Sequence, residues 1–425
     1  MAKILVNESE KPSFLFCRVV NFAYFCQRIY TLLTLKMNQI YVSKPHYEVL
    51  DGLRGVAAML VVAFHLFETY SGDHFHQIIN HGYLAVDFFF VLSGFVIGYA
   101  YDDRWGSMTV VDFFKRRIVR LHPMLIVGTT IGALFFYFSA GEASPNVSST
   151  PWWQLILTML LCWTLLPLPV RWDCRGWGET NPLNGPAWSL QWEYVANILY
   201  ALVFRRCRTW FLAVCVAVFG VLTVLLTMNI DLFGLLAERS RQAYTVIGGW
   251  SLTPTQLYVG ASRLLYPFFA GLLLSRLGGS IKLKNGFLWC SVAVAAVMCM
   301  PYVGTPESQW MNGLYECICI LALFPLIVAM GAGSSTKGAK STALCKFLGD
   351  ISYPLYISHH SLIYIHYAWV RANSDAPLGT HIFVSVALYI LAVAMAYACM
   401  KLLDMPIRKW LTEHWLNRKR TTLNV

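Results

Sequence analysis

The chain has 425 residues, of which 57% are hydrophobic and 13% are charged, and its formal net charge is +11. Soluble domains carry about 25% charged residues, so this composition excludes a soluble globular protein and indicates a polytopic membrane protein. The basic residues lie in short loops between apolar runs, a pattern typical of cytoplasmic loops and not of a surface that binds nucleic acid.

The first 46 residues are predicted to form a cytoplasmic or interfacial segment. The apolar stretch from Phe14 to Leu35 contains two arginines and two amide side chains, which a membrane span would have to bury. It has no cleavage site of small residues after a clean hydrophobic core, so it is not typical of a signal peptide. We expect an amphipathic segment at the membrane surface. An alternative is that Met37 is the true start.

Ten later apolar runs are long enough to cross a bilayer. They lie at 50–70, 83–101, 121–139, 188–204, 210–228, 258–275, 286–302, 312–330, 351–370 and 381–401. A further run at 151–169 is interpreted as a re-entrant or interfacial helix, because a full crossing would place the arginines of 205–208 outside. Basic residues then concentrate on the cytoplasmic side, which selects ten spans with both termini in the cytoplasm. The sequence therefore predicts an all-α transmembrane bundle at 47–405, followed by a basic tail at 406–425.

The first run carries two groups that are costly inside a membrane, Arg54 and His65. An Arg near the bilayer centre costs about 2.5–3.5 kcal/mol, so it is by default a functional-site hypothesis. Eleven residues come to about 20° past three helical turns, which places both side chains on one face about 16 Å apart along the axis. The alternative is that Arg54 reaches the lipid headgroups and His65 is an ordinary satisfied core residue.

The second run buries Asp87 within an aromatic segment. A lone carboxylate in this position must pair or be protonated. Because Asp87 lies near the outer end of the run, we expect His65 or a donor from the outer loop as its partner. The three histidines of that loop are irregularly spaced, and no Cys/His ligand pattern occurs in the chain, so no metal site is predicted.

Two further groups of polar residues are candidate binding sites. Arg117 and Arg120 are three residues apart, hence on one helix face at the cytoplasmic mouth of the third span. Their guanidinium groups match phosphate oxygens, although lipid headgroups are an equally good partner for such residues. Trp188 and Glu193 open the fourth span on the outer side, where they are predicted to contact a polar, ring-shaped substrate. An interfacial aromatic belt is the alternative for the tryptophans.

The ninth run contributes a polar strip that is expected to enter from the cytoplasm. Its members Ser352, Tyr353 and His359 are predicted to line the donor-binding path, with His359 about a turn and a half inside the hydrocarbon. The sequence does not fix the oligomeric state.

Five separated motifs resemble those of the acyltransferase-3 family of integral-membrane O-acyltransferases. They are LDGLRGVAAMLVVAFH, GYLAVDFFFVLSGFVI, FFKRRIVRLHPM, NGPAWSLQWEY and LGDISYPLYISH, and they occur in the family's order between Tyr47 and Met405. The fourth motif reads WSLQWEY, which makes the role of Glu193 less certain than its position.

The resemblance implies a ten-helix domain that takes an acyl group, usually acetyl, from cytoplasmic acyl-CoA. It passes that group to a hydroxyl of a glycan or lipid-linked sugar at the outer face of the membrane. By the same resemblance His65 is the essential histidine, Arg54 its partner, and Arg117 and Arg120 the donor-binding pair. No permanently bound cofactor is implied; acyl-CoA is a substrate. The expected location is a bacterial plasma or inner membrane, with membrane lipids as neighbours.

One other functional class fits the buried polar residues. Ten spans with buried Arg, His and Asp also suit a proton-coupled exporter of a small anion. The sequence has no pair of broken helices at corresponding positions in two halves, which favours the enzyme. For the reaction itself, direct transfer assisted by a histidine base is preferred to a transient acyl-imidazole.

Overall fold

The protein is described here by a computed structural model that covers residues 46–71 and 75–416. In these ranges it is helical, without β-strands. The first helices are α1 (Glu48–Glu68), α2 (Ala85–Tyr101), α3 (Val110–Leu134), α4 (Trp152–Trp163), α5 (Ala187–Leu202), α6 (Thr209–Thr227) and α7 (Pro254–Arg276). They are followed by α8 (Gly286–Cys299), α9 (Trp310–Ile318), α10 (Phe324–Ala332), α11 (Gly338–Ser358), α12 (His360–Ala372), α13 (Leu378–Cys399) and α14 (Met405–Leu411).

Two of the longest helices contain π-helical turns. The turn Cys319–Leu323 joins α9 to α10 in one helix from Trp310 to Ala332, and Met400–Asp404 joins α13 to α14 in a helix that continues to Leu416. The expected boundary between the membrane domain and the basic tail, at residues 405 and 406, therefore falls inside a helix. The expected amphipathic segment near the N-terminus lies outside the described residues.

The predicted all-helical membrane fold is confirmed. Six helices of the described chain are long and apolar enough to cross a membrane: Glu48–Glu68, Gly82–Tyr101, Thr209–Thr227, Pro254–Arg276, Trp310–Ala332 and Leu378–Leu416. Each of the ten apolar runs contains a helix, but the number of crossings stays a prediction. The 12 residues of α4 reach about 18 Å, too short for a hydrocarbon core about 30 Å thick.

Local sequence explains where several of these helices begin. Thr109 caps α3 through a capping box with Asp112, in which each side chain accepts a hydrogen bond from the other residue's backbone. Pro254 occupies the first turn of α7, where its missing N–H costs nothing, and Thr253 caps that helix. These caps fix the starts of α3 and α7, both of which carry arginines of the candidate site.

Small residues bring the central helices into backbone contact. A Cβ added to Gly94 of α2 would lie 1.8 Å from the carbonyl oxygen of Phe268 in α7. In the same way, Gly55 of α1 would meet the carbonyl oxygen of Leu348 in α11 at 2.4 Å. Any larger side chain at these positions would push the helices apart. The close packing of α1 on α11 is what brings His65 to the histidines at the end of α11.

Candidate functional site

His65 is held by a carboxylate on its own helix. Its Nδ1 lies 2.8 Å from Oε2 of Glu68, and the two side chains are 21% and 35% exposed. A carboxylate that accepts a hydrogen bond from Nδ1–H leaves Nε2 as the basic nitrogen of the neutral ring. The sequence analysis did not single out Glu68. Its i,i+3 spacing from His65 was the available signal, because residues three apart share a helix face.

Two more histidines surround the His65 ring. The His359 ring is stacked on it with 5.5 Å between centroids, and the His360 ring meets it edge-on at 4.8 Å. Nδ1 of His359 lies 3.0 Å from the carbonyl oxygens of both Leu355 and Tyr356, to which it donates. His359 was predicted to line the donor-binding path, and the structure places its ring beside that of His65. His360 was missed, although the sequence places it next to His359.

This cluster of imidazoles does not have the arrangement of a metal centre. Within residues 46–71 and 75–416, no group of three or more His, Cys, Asp or Glu side chains could hold a metal ion. The three rings are therefore considered for proton transfer and hydrogen bonding.

The loop between α4 and α5 closes one side of the cluster. Tyr364 of α12, one turn beyond His360, donates a hydrogen bond of 2.6 Å to Oε2 of Glu179. The guanidinium of Arg175 lies 3.5 Å from the centroid of the Tyr364 ring, and it donates to the carbonyl oxygen of Pro182 and to Oγ of Ser139. Arg175 and Glu179 are thus buried parts of a wall beside the histidines. Neither was singled out in the sequence, where both look like ordinary loop residues.

The carboxyl of Glu179 makes the stability of this wall depend on pH. Burial raises its pKa to about 7, and the hydrogen bond from Tyr364 opposes this shift. A raised folded-state pKa means that the stabilisation is complete below pH 4.5 and is lost as the pH rises through 7. We therefore expect the thermal midpoint of the wild type to fall between pH 5 and 8, and Glu179→Gln to flatten that fall. A profile unchanged by Glu179→Gln, measured by differential scanning fluorimetry in detergent, would contradict this assignment.

Asp87 has a different partner from the one expected. Its carboxylate accepts hydrogen bonds from the guanidinium of Arg263 in α7, at 2.7 Å from Nη2 and 3.2 Å from Nε. The two side chains are 0% and 1% exposed. Arg263 also donates to the carbonyl oxygens of Tyr83 and Gly248. The expected contact between Asp87 and His65 is therefore wrong, and the pair instead joins α2 to α7.

Because the pair is fully buried, removing one charge leaves the other uncompensated. We expect Asp87→Asn to lower the free energy of unfolding by at least about 1–3 kcal/mol, visible as a lower thermal midpoint in detergent. The exposed Asp375→Asn serves as the matched control and should leave the midpoint unchanged. A catalytic role for Asp87 would give the opposite pattern, with acyl transfer lost and stability retained.

The predicted donor-binding Arg117 and the predicted substrate-binding Glu193 contact each other. A nitrogen of Arg117 is paired with Oε1 of Glu193, and Oγ of Ser93 donates to the same oxygen at 3.0 Å. The side chains are 6% and 21% exposed. Glu193 was expected to face a substrate on the outer side. Its carboxylate is instead directed into the bundle, where it neutralises an arginine of α3.

Three more arginines lie near this ion pair. Arg120 of α3 is exposed and within electrostatic range of Arg54, Arg117 and Arg408. Nη1 of Arg54 lies 2.9 Å from Asp51, and Nη1 of Arg408 lies 3.1 Å from Asp404. In the described part of the chain Arg120 has no carboxylate partner. Three of the four guanidinium groups are paired with a carboxylate and, among the described residues, Arg120 is not, so the arginine cluster keeps an excess positive charge that fits an anionic ligand.

The remaining predicted site residues are tied to the protein itself. Oγ of Ser352 donates to the carbonyl oxygen of Gly349 at 2.7 Å. The hydroxyl of Tyr353 donates to the carbonyl oxygen of Leu121 at 2.6 Å, which joins α11 to α3. Trp188 is 9% exposed, and the Arg263 guanidinium lies 5.1 Å from the centre of its ring. Its ring is therefore largely covered, which disfavours stacking on a sugar.

Two chemically different regions thus lie on one helix. The first turns of α1 contribute Arg54 to the arginine cluster, and its last turn contributes His65 and Glu68 to the histidine cluster. The separation of Arg54 and His65 is about 16 Å along the axis. One region can bind an anion, and the other can accept a proton.

Comparison with known proteins assigns the chain to a family. A sequence profile described as an acyltransferase domain matches residues 47–401. "Protein 2 in picA locus" of Rhizobium radiobacter is 35% identical over 160 residues, which are 36% of this chain and 79% of that protein. A Staphylococcus aureus protein named "Putative O-acetyltransferase" is 24% identical over 399 residues, 85% of this chain and 57% of that protein.

A third relative matches a shorter part of the chain than the Staphylococcus aureus protein does. "Acyltransferase MdmB" of Streptomyces mycarofaciens is 29% identical over 165 residues, 37% of this chain and 39% of that protein. The match to the Staphylococcus aureus protein covers little more than half of that protein's length. No solved structure matches the chain. Because the acyltransferase profile covers most of the chain, the protein belongs to the acyltransferase-3 family, and its apolar helices agree with a multi-pass membrane protein.

Proposed function

We propose that the protein moves an acyl group, expected to be acetyl, from cytoplasmic acyl-CoA to a hydroxyl of a glycan or lipid-linked sugar at the outer face of a bacterial plasma membrane. The observation that carries this proposal is the presence of the His65–Glu68 pair and the arginine cluster at opposite ends of α1. A donor that is anionic at one end and reactive at the other fits such a site.

In this proposal His65 is the general base. Nδ1 is held by Glu68 at 2.8 Å, so Nε2 takes the proton of the acceptor hydroxyl as its oxygen attacks the thioester carbonyl. The C–S bond then breaks, and the proton passes from Nε2 to the departing thiolate. A positioned base of this kind contributes about 10²–10⁴ in rate. Direct transfer needs no covalent intermediate on the protein.

The arginine cluster binds the donor. Coenzyme A carries its phosphates at the nucleotide end and its thioester at the end of a long thin arm. Arg54 and Arg120 hold the phosphates through charge-assisted hydrogen bonds, while the arm extends along α1 toward His65. Arg117 lies in the same region, but its guanidinium is paired with the carboxylate of Glu193. Arg408, which was not considered in the sequence, adds a fourth cation from α14.

The experiment uses the purified full-length chain in proteoliposomes with [14C]acetyl-CoA and envelope extract from the host. Acyl transfer predicts release of free coenzyme A together with alkali-labile radioactivity on an envelope component, both dependent on His65. Binding of acyl-CoA is measured in parallel by calorimetry. If the protein binds no acyl-CoA but moves a small anion in response to a pH gradient, it is a transporter and the proposal fails.

A further inference from the structure

Two short segments beside the histidine cluster contain many buried polar atoms without hydrogen-bond partners. Among the described residues, twenty buried side-chain nitrogen and oxygen atoms lack a partner, and eight of them belong to segments 181–191 and 358–360. These eight atoms are both amide atoms of Asn181 and of Asn184, Nε2 of Gln191, Oγ of Ser358, Nε2 of His359 and Nδ1 of His360.

The two asparagines are the most unusual members of this set. Asn181 is 1% exposed and Asn184 is 2% exposed, yet neither amide donates or accepts a side-chain hydrogen bond. A buried polar group without a partner costs about 1–3 kcal/mol. Polar groups carrying such a cost are found where a ligand completes their hydrogen bonds.

The turn that carries the asparagines packs directly on the wall beside His65. A Cβ added to Gly185 would lie 2.8 Å from both Oε1 of Glu179 and the hydroxyl of Tyr364, and 3.2 Å from Cε1 of His360. The His360 ring in turn is 4.8 Å from the His65 ring. The turn that carries the unpaired amides is therefore separated from the proposed base by the His360 ring.

The amide of Asn184 is also close to the end of α11. A Cβ added to Gly128 of α3 would meet Nδ2 of Asn184 at 2.8 Å and Cγ2 of Ile357 at 2.5 Å. Ile357 is two residues before His359, whose Nε2 is one of the unpaired atoms. Asn184 thus lies beside the last turn of α11, and the next residue in its turn, Gly185, lies beside His360.

We propose that Asn181, Asn184 and the free nitrogens of His359 and His360 form the acceptor subsite, and that it selects a neutral, polyhydroxylated ring. This inference rests on the proposed function and names the substrate class of the same site. An amide offers one acceptor and two donors, and a sugar hydroxyl both donates and accepts. A site built to hydrogen-bond a hydroxyl rejects an analogue without it strongly, because its own buried groups are then left unpaired.

The charges around the subsite disfavour an acidic acceptor. Arg175, the cation of the wall, stacks on Tyr364 and is opposed by Glu179 and Asp173. Glu68 adds another carboxylate beside His65. Because Arg175 is already bound by Pro182 and Ser139, it is not free to pair with a carboxylate on the acceptor ring, and Glu68 would repel one.

The test uses membranes of the host from which the gene has been deleted, carrying full-length wild type or a variant. [14C]Acetyl-CoA is supplied, and both coenzyme A release and alkali-labile label on the native acceptor are measured. Asn181→Ala/Asn184→Ala is expected to lower acceptor labelling about tenfold or more, with acetyl-CoA binding unchanged. The matched control is Asn373→Ala, which replaces an asparagine of the loop after α12. Membranes with this variant should give the same acceptor labelling as membranes with the wild type.

The outcomes are distinguishable. If wild-type membranes neither release coenzyme A nor gain label, the proposed function fails. If the wild type is active and the double alanine variant labels equally well, the amides bind only water and the subsite is overturned. An acidic labelled sugar residue would also overturn it. A variant that still binds acetyl-CoA is folded. If the double alanine variant does not bind acetyl-CoA, the isosteric variant Asn184→Asp is used in its place and must show the same loss of acceptor labelling.

Discussion

Replacing His65 with alanine is expected to reduce acyl transfer by about 10²–10⁴-fold or more, because the reaction loses its base. The protein should remain folded, since His65 is 21% exposed and its hydrogen bond is to Glu68, a partly exposed residue of the same helix. The measurement is coenzyme A release and label transfer in proteoliposomes, with folding checked by acetyl-CoA binding. Transfer at the wild-type rate by well-folded His65→Ala would remove His65 from the catalytic role.

The neighbours of His65 provide graded controls for this experiment. Glu68→Gln keeps the size of the side chain but removes the carboxylate that selects the Nδ1–H tautomer, so we expect a loss smaller than that of His65→Ala. His76→Ala changes a histidine of the outer loop and should leave transfer unchanged. A loss in His76→Ala equal to that in His65→Ala would indicate a general effect of removing imidazoles, contrary to our assignment.

The helical fold was predictable from the sequence because long apolar runs have few stable alternatives in a membrane. The placement of Arg54 and His65 on one face of α1 follows from helix periodicity, and α1 is indeed one uninterrupted helix over these positions. The number of membrane crossings depends on where the bilayer lies, which helix lengths do not determine.

Pairings between distant residues were not predictable from one sequence. Asp87 and Arg263 are 176 positions apart, and Arg117 and Glu193 are 76 positions apart. No local pattern encodes either contact. Arg263 could still have been recognised as a buried cation inside an apolar run, which implies a carboxylate partner.

The position of His359 beside His65 depends on a helix boundary that the sequence does not reveal. Counting from residue 351 placed His359 near the cytoplasmic end of its span. In the structure α11 begins at Gly338 and has 21 residues, about 31 Å at the usual rise. His359 therefore lies a full membrane thickness from the start of α11. Helix ends set by packing, as here by the contact of α11 with α1, are the least predictable part of a sequence analysis.

The second large effect is expected when two residues of the arginine cluster are replaced. Arg54→Gln/Arg120→Gln is expected to raise the apparent KM for acetyl-CoA, because each charge-assisted hydrogen bond is worth about 1.5–3 kcal/mol. Two such losses together correspond to about 10²–10⁴-fold. The effect should fall on KM and not on kcat, since the phosphates are bound equally in the ground state and the transition state.

The choice of arginines follows from the ion pairs. Arg117→Gln alone would leave Glu193 buried without its partner, so its effect would mix binding with stability. The double variant Arg117→Gln/Glu193→Gln removes both charges and should recover part of the stability. The matched control is Arg116, which is exposed and directly precedes Arg117 in the sequence. Arg116→Gln should leave the KM for the donor unchanged.

Two further measurements distinguish phosphate binding from a general loss of positive charge. High salt should raise the donor KM of the wild type and have less effect on Arg54→Gln/Arg120→Gln, because the screened interactions are already absent. A short acyl thioester without the nucleotide phosphates should be used equally well by the wild type and the double variant. If the double variant instead lowers kcat for both donors, the arginines act on the reaction itself and the phosphate-binding assignment is wrong.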